Sequence, residues 1–293
     1  EKSTLRVAEA ISKKEKLGIF GDYDVDGATS TALLGNYFSE LNLEYETYIP
    51  DRKKEGYGPT IKSFKELINN NVKLIFTVDC GTLSFDAMNF ASENEVDVIV
   101  LDHHQSEIKL PKAFSIVNPN RLDDKSNLQY LCAAGVTFMF LVSLNRELRN
   151  KNWFNQNNVK EPNLIDCLDL VSLGTVCDVV PLIGLNRAIV KQGLKVLKSK
   201  KNLGLKTLIN ICNIESSPSI YHLGYLLGPR INAGGRVGKC SHGANLLLNK
   251  DPKNSFKLAS ELDQYNKERQ ILEKDLLQKI INEKKDYSND PVI

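Results

Sequence analysis

Three carboxylates at alternate positions, Asp22, Asp24 and Asp26, follow directly on the apolar run Leu17-Gly18-Ile19-Phe20. The device recurs twice: Phe76-Thr77-Val78 ends in Asp79, and the run up to Leu101 ends in Asp102, followed by His103 and His104. If these run ends lie side by side, many like charges share one crevice, an arrangement that divalent cations make tolerable. Carboxylate and imidazole donors together suit Mn²⁺ or Mg²⁺ rather than a thiolate-bound zinc. An Asp-rich turn with a helix N-cap is the alternative reading of the first motif. A calcium-binding EF-hand is excluded, because Leu33 stands where the loop needs its twelfth-position Glu and a strand precedes the motif. Asp178 interrupts the apolar stretch Leu173-Gly174-Thr175-Val176-Cys177-Asp178-Val179-Val180, either as a helix-end cap or as a further ligand.

The elements that must position these groups alternate. Leu17–Phe20, Leu43–Ile49, Leu74–Val78, Val96–Leu101 and Phe114–Val117 read as strands, and Ala28–Leu41, Thr60–Asn70, Leu83–Asn94 and Leu131–Leu148 as helices. The alternation predicts an α/β fold, a doubly wound and mostly parallel five-stranded sheet flanked by helices. Such a sheet binds ligands beyond the carboxyl ends of its strands, where all three Asp-terminated runs finish. A polar, Asn-rich loop at residues 150–162 should lead into a helical region running to Leu248, and from Ser255 to about Lys285 apolar residues keep helical spacing among many charges. Trp153, His222 and His242 are assigned to packing or to the surface.

Two stretches could meet a polyanion. Residues 50–58 follow the second strand, so Arg52 could grip a phosphate and Tyr57 could stack on a base; a solvated charged loop is the alternative. In Gly228-Pro229-Arg230-Ile231-Asn232-Ala233-Gly234-Gly235-Arg236 the glycines permit close approach, and Arg230, Asn232 and Arg236 offer contacts; a structural turn is the alternative. With 38 basic against 36 acidic side chains, any anion-binding surface must be local. The six cysteines form no CxxC pair and read as free thiols of a reducing cytoplasm. No apolar stretch suits a membrane span or a signal peptide, and no G-x-S-x-G elbow, P-loop or G-x-G-x-x-G loop is present.

GDYDVDG, VDCG, LDHH and GTVCDVVPL, in that order, resemble the four motifs of the DHH phosphoesterases. The segment Gly228–Gly238 and the Gly56-Tyr57-Gly58 triplet are similar to the RecJ exonucleases within that superfamily. The likeness runs through nearly the whole chain. It implies two bound divalent metal ions, Mn²⁺ or Mg²⁺, one held by Asp24 and Asp79 and the other by Asp26, Asp79, His103 and Asp178, with Asp79 as the bridge. Asp102 would orient His103, and His104 would face the scissile phosphate. Relatives such as the inorganic pyrophosphatases carry a metal-binding His where this chain has Phe20, so Asp22, water or the arriving substrate would complete the first site.

The mechanism so implied is in-line attack on phosphorus by a metal-activated water, the ions lying about 3.5–4 Å apart. The implied function is 5′→3′ exonucleolysis of single-stranded DNA in repair and recombination, beside a single-strand-binding protein and a helicase. An oligonucleotide or RNA phosphodiesterase of the same family is the alternative, and an inactive replication scaffold the alternative of another class. Every expected ligand except that at Phe20 is present, which disfavours the scaffold. The implied division is a catalytic domain over residues 1–250 (sheet part to about 149, helical part 150–250), a connector helix over 251–286, and the start of a DHH-associated domain at 287–293. Both ends of the chain read as cuts through a longer protein.

Overall fold

The computed structural model describes residues 1–199 and 201–282. The expected start of a further domain at 287–293 lies outside the described residues, as does the end of the expected connector. Five strands, β1 (Leu17–Gly21), β2 (Tyr45–Tyr48), β3 (Leu74–Val78), β4 (Asp97–Leu101) and β5 (Ser115–Val117), form one sheet in the order β2-β1-β3-β4-β5. Every pairing is parallel. The expected α/β class and strand set are thus observed, with ends shifted by one or two residues.

Both faces of the sheet are covered, which is why its central strands read as unbroken apolar runs. Leu17, Ile19, Phe76, Val78 and Ile99 join one core with helices α1 (Lys2–Ser12), α2 (Val25–Glu40) and, later in the chain, α6 (Ala133–Asn150). Phe20, Ile75, Val98 and Val100 join the other, with α4 (Ile61–Asn69) and α5 (Phe85–Glu93); a four-residue α3 (Arg52–Glu55) precedes α4. Helix α1 lies outside the expected set. Its first turn is polar, and its apolar residues Val7, Ala8, Ala10 and Ile11 are too few and too small to stand out before the fold buries them.

The strand order reverses direction between β1 and β3, and at such a switch point the crossover helices diverge and leave a crevice beyond the strand ends. The ladder continues one residue past each strand there. Asp22 N–H donates to Val78 O at 3.3 Å, Asp79 N–H to Leu101 O at 3.1 Å and Asp102 N–H to Val117 O at 3.1 Å. Three aspartates therefore stand in register along the carboxyl edge of the sheet.

After β5 the chain is helical. The Asn-rich stretch contains a short α7 (Trp153–Gln156), in which Trp153 packs edge-on to buried Phe154 at 5.6 Å, a packing role as expected. Then follow α8 (Leu168–Cys177), α9 (Gly184–Lys198), α10 (Leu203–Ile211), a π-helical turn (His222–Leu227), α11 (Gly228–Val237), α12 (His242–Leu248) and α13 (Pro252–Asn282). The Gly-Pro-Arg segment, for which a structural turn was the alternative to a phosphate-binding role, is helix α11, within the region expected to be helical. Pro229 sits in its first turn, where a proline needs no partner for its missing N–H, and Gly234 and Gly235 let it pack closely on Lys239 and Tyr23. Helix α13 runs for 31 residues; Leu258, Ala259 and Leu262 are buried, whereas Leu272 and Leu276 are exposed. Among the described residues no helix is long and apolar enough to cross a membrane.

Candidate metal centre

Asp22, Asp24 and Asp26 enter the crevice from the β1–α2 junction, Asp79 from the end of β3, His103 and His104 from the end of β4, and Asp178 from the end of α8. Each local structure follows from its residues. Asp24 caps α2, accepting from Gly27 N–H at 3.0 Å, so the N-cap reading holds while Asp24 also joins Asp22 and Asp79 in a cluster able to hold a cation. Asp79 adopts a left-handed backbone with φ of 61°, which an Asp tolerates better than most residues. Asp26 is buried, and its two oxygens accept from Ala133 N–H at 2.6 Å and Ala134 N–H at 2.9 Å, at the positive N-terminus of α6.

The distances bring the two halves of the centre together. His103 Nε2 lies 3.3 Å from Asp79 Oδ1 and 3.8 Å from Asp26 Oδ2, and His103 Nδ1 lies 3.7 Å from Asp178 Oδ2. Three groups of donor atoms are each compact enough for one ion: Asp22, Asp24 and Asp79; Asp26, His103 and Asp178; and Asp79, His103 and His104. All six residues expected as metal ligands are in this set.

Burial and mutual repulsion raise the carboxyl pKa values. Burial, then Asp24, pushes Asp22 up to about 7; burial, then Asp178 and Asp24, pushes Asp26 up to about 8. Burial, then Asp24, lifts Asp178 to about 6, and burial with Asp26 and Asp24 raises Asp79 well above the carboxylate range. Burial lowers His103, keeping the neutral imidazole that metals bind. Asp22 Oδ1, Asp79 Oδ1, His103 Nε2 and Asp178 Oδ2 are buried with no hydrogen-bond partner among the described residues. Orphaned buried acceptors of this kind are rare, and divalent cations would satisfy all four. The residues therefore fit a two-cation site.

Residues 16–175 match the DHH family, N-terminal domain. The chain belongs to the DHH family. It is 36% identical over 266 residues to the single-stranded-DNA-specific exonuclease RecJ of Bacillus subtilis, covering 90% of this chain and 32% of that protein. A crystal structure of exonuclease RecJ bound to manganese superposes with a TM-score of 0.84 at 31% identity, over 96% of this chain and 69% of that one. RecJ from Thermus thermophilus in complex with Mn²⁺ gives 0.80 at 29% identity, over 97% and 40%. The chain thus spans 32% of the length of its Bacillus relative, a part of it and not the whole.

Within this DHH fold the contacts of Asp102, Arg230 and Asn232 differ from the three roles expected of them. Asp102 does not orient the His103 ring. Its Oδ1 bonds His104 Nδ1 at 2.7 Å and both backbone amides, while Oδ2 accepts from Thr82 N–H at 3.1 Å. The Asp-His-His run forms a tight turn over the carboxylate, and the ring two residues on, rather than the adjacent one, folds back to it. Burial opposes the charge on Asp102, yet the bonds from His104 and Thr82 hold its pKa down at about 2; the same pairing raises His104. Asn118 and Asn120, just past β5, bind the His104 and His103 carbonyls, a support unnoticed in the sequence. Their Asn-Pro-Asn setting at a strand end was the available signal.

Phe20 takes no part in the centre. It packs into the opposite core, stacked on Tyr48 at 5.5 Å, and Asp22 supplies the third carboxylate beside Asp24 and Asp79. Tyr57 donates from its hydroxyl to the Asp79 carbonyl at 2.9 Å, so the loop holding it closes over the site. Arg52 is exposed, 5.3 Å above the Tyr23 ring. Arg230 is engaged elsewhere: it pairs with Asp263 of α13 at 2.8 Å and bonds the Leu226 carbonyl, bracing α11 against the long helix. Asn232 accepts from Val25 N–H at 3.1 Å, fixing α11 to the start of α2, and Arg236 is exposed. His242 is buried and stacked on Tyr265, and His222 binds Ser219, both structural as expected.

Close approach of α8 to the site depends on Gly174. A Cβ there would lie 2.6 Å from Thr29 Oγ1 and 2.8 Å from both Ala134 Cβ and Asp26 Oδ1. Gly174→Ala should destabilise the protein by about 1–3 kcal/mol and weaken manganese binding, through overpacking against a fixed ligand. Urea unfolding and calorimetric titration check the two halves, and an unchanged midpoint would count against such close packing.

Proposed function

We propose that the chain carries the catalytic centre of a single-strand-specific DNA exonuclease that hydrolyses phosphodiester bonds from the 5′ end with two Mn²⁺ or Mg²⁺ ions. The observation that carries the reading is the convergence of seven ligand-type side chains at the β1–β3 switch point, four of them with buried atoms that lack partners among the described residues. Similarity to RecJ proteins named for single-stranded DNA supports the substrate class.

Asp22, Asp24 and Asp79 would hold one ion, and Asp26, His103 and Asp178 the other, with Asp79 reaching both. Bound ions supply Lewis acidity and a water ionised near neutral pH. The chain's own residues do the rest. His104, pinned through Nδ1 to Asp102 and raised in pKa, offers Nε2 as a cationic donor to the phosphate. Tyr57 reaches the Asp79 carbonyl, Arg52 stands exposed over Tyr23, and exposed Arg236 lines the cleft next to Val179. Arg230 would act on substrate chiefly by holding α11 in place. The reading extends to a cytoplasmic enzyme of DNA repair and recombination, to which a helicase and a single-strand-binding protein deliver the strand, and to a DHH-associated domain beyond residue 286.

The test is incubation of the whole protein with end-labelled single-stranded and duplex DNA in Mn²⁺, Mg²⁺ or chelator. Metal-dependent release from the 5′ terminus of the single strand is expected; equal attack on duplex, or activity that survives chelation, overturns the proposal. Arg52→Ala and Arg236→Ala should each weaken single-strand binding and flatten log K against log salt by about 0.7 per lost phosphate contact. A slope equal to that of the unaltered protein removes the arginine in question from the DNA path.

A further inference from the structure

One wall of the metal centre is also the wall of a second cavity. Beyond Asp178 opens a cleft of about 440 Å³, lined by Val179, Tyr225, Pro229, Arg236 and Arg269 among others. Two backbone irregularities face it. Val179 has a φ of 60°, a left-handed conformation that strains a β-branched residue, and its side chain is 85% exposed. The opposite wall is the π-helical turn His222–Leu227, a conformation rare in proteins and frequent at functional sites.

The π turn places two aromatic rings in solvent. Tyr221 and Tyr225 are 60% and 71% exposed and stack on each other, with centroids 5.2 Å apart and planes 21° from parallel. The turn is clamped to the helix that ends in Asp178: Cys177 Sγ lies 3.4 Å from the Leu223 carbonyl, and a Cβ on Gly228 would come within 2.4 Å of that sulfur. The aromatic pair and the ligand-bearing end of α8 therefore hold a fixed relation. Exposed Arg236 gives the cleft positive charge, and Arg269, paired with Glu273 and bonded to Asn266, lines it as well.

An exposed flat ring backed by a second ring, with guanidinium groups beside it and a phosphodiester-cleaving centre next door, suits one ligand chemistry. We propose that the cleft beside Asp178 is a base-binding subsite, in which Tyr225, supported by Tyr221, stacks on a nucleobase of the bound strand near the scissile bond while Arg236 takes a flanking phosphate. The inference rests on the single-strand reading above. Stacking is indifferent to base identity, because every base has a π face. The subsite would thus grip the strand without restricting its sequence, and would require the base to be unpaired.

The experiment scans an abasic site along a short single-stranded oligonucleotide and measures the Kd for the whole protein and its Tyr225→Ala, Tyr225→Phe and Tyr221→Ala variants. In the unaltered protein one position should be sensitive, losing roughly five- to hundredfold in affinity when its base is removed. Tyr225→Ala should abolish that sensitivity, Tyr225→Phe should keep it and Tyr221→Ala should reduce it, with manganese affinity equal in all three. Sensitivity retained in Tyr225→Ala overturns the subsite alone and leaves the exonuclease reading standing. That result is also expected if the cleft serves a protein partner instead. Failure of the unaltered protein to bind or cut single strands overturns both.

Discussion

Asp79→Asn should reduce metal-dependent hydrolysis by more than about 10³-fold, well beyond the roughly 10- to 100-fold typical of residues that only support a metal ligand. Asp79 shares one donor group with Asp22 and Asp24 and another with His103, so its loss removes a ligand from both halves of the centre. Asparagine is the informative substitution because it keeps the shape and accepts the left-handed backbone, where Ala would add about 1–2 kcal/mol of strain. The Tyr57 bond to the backbone carbonyl would survive. Removing a buried carboxyl that must take up a proton on folding without metal should also raise the stability of the metal-free protein at neutral pH. Turnover, manganese calorimetry and melting in chelator together decide the matter. Turnover within tenfold of the unaltered protein sinks the bridging role, and a lower metal-free melting temperature sinks the repulsion account.

The second large effect is on stability against pH. Asp22, Asp26 and Asp178 have folded pKa values of about 7, 8 and 6 against an ordinary 3.8. Between pH 4 and 8 the metal-free native state therefore holds protons that the unfolded chain has released. Stability must fall as pH rises through that window. His104, raised by Asp102, adds to the fall above its ordinary value of 6.5. Asp102, held at about 2, acts oppositely, but its contribution is complete above pH 4. His103 is lowered, and it opposes the fall only below its ordinary value of 6.5. Bound cations displace the protons, so the manganese-induced gain in melting temperature should grow steadily from pH 5 to pH 8. A gain that shrinks with pH, or a metal-free protein that becomes more stable toward pH 8, contradicts this electrostatic picture.

The strands were legible because a sheet buried on both faces demands continuous apolar runs, and Leu74–Val78 reads as a strand to the residue. The convergence of Asp22, Asp26, Asp79 and His103 was legible because apolar runs of a parallel sheet that end in charged residues must finish at one edge; the roles expected of them, and of Asp24 and Asp178, as ligands came from the family resemblance. Side-chain direction was not legible. Whether Asp102 turns to the first or second histidine depends on a turn held by Thr82 and Asn118, from distant parts of the chain. Arg230 and Asn232 fell in a Gly-rich string that looks like a loop until α13 and α2 supply its partners. The stacked tyrosines were invisible because a π turn has no sequence period of its own.

The register of Asp22, Asp79 and Asp102 along the sheet edge works as a ruler. Adjacent strands are spaced by hydrogen bonding at about 4.8 Å, so the lateral pitch of these carboxylates is set by the backbone and not by side-chain packing. Mutational drift in the surrounding core should alter stability long before it alters that pitch. The scale fails only by slippage: one residue inserted or deleted within β3 would turn Asp79 to the other side of the sheet. Length changes in the connections between the later helices would leave it untouched. Variation in chain length among active relatives should therefore be confined to such connections.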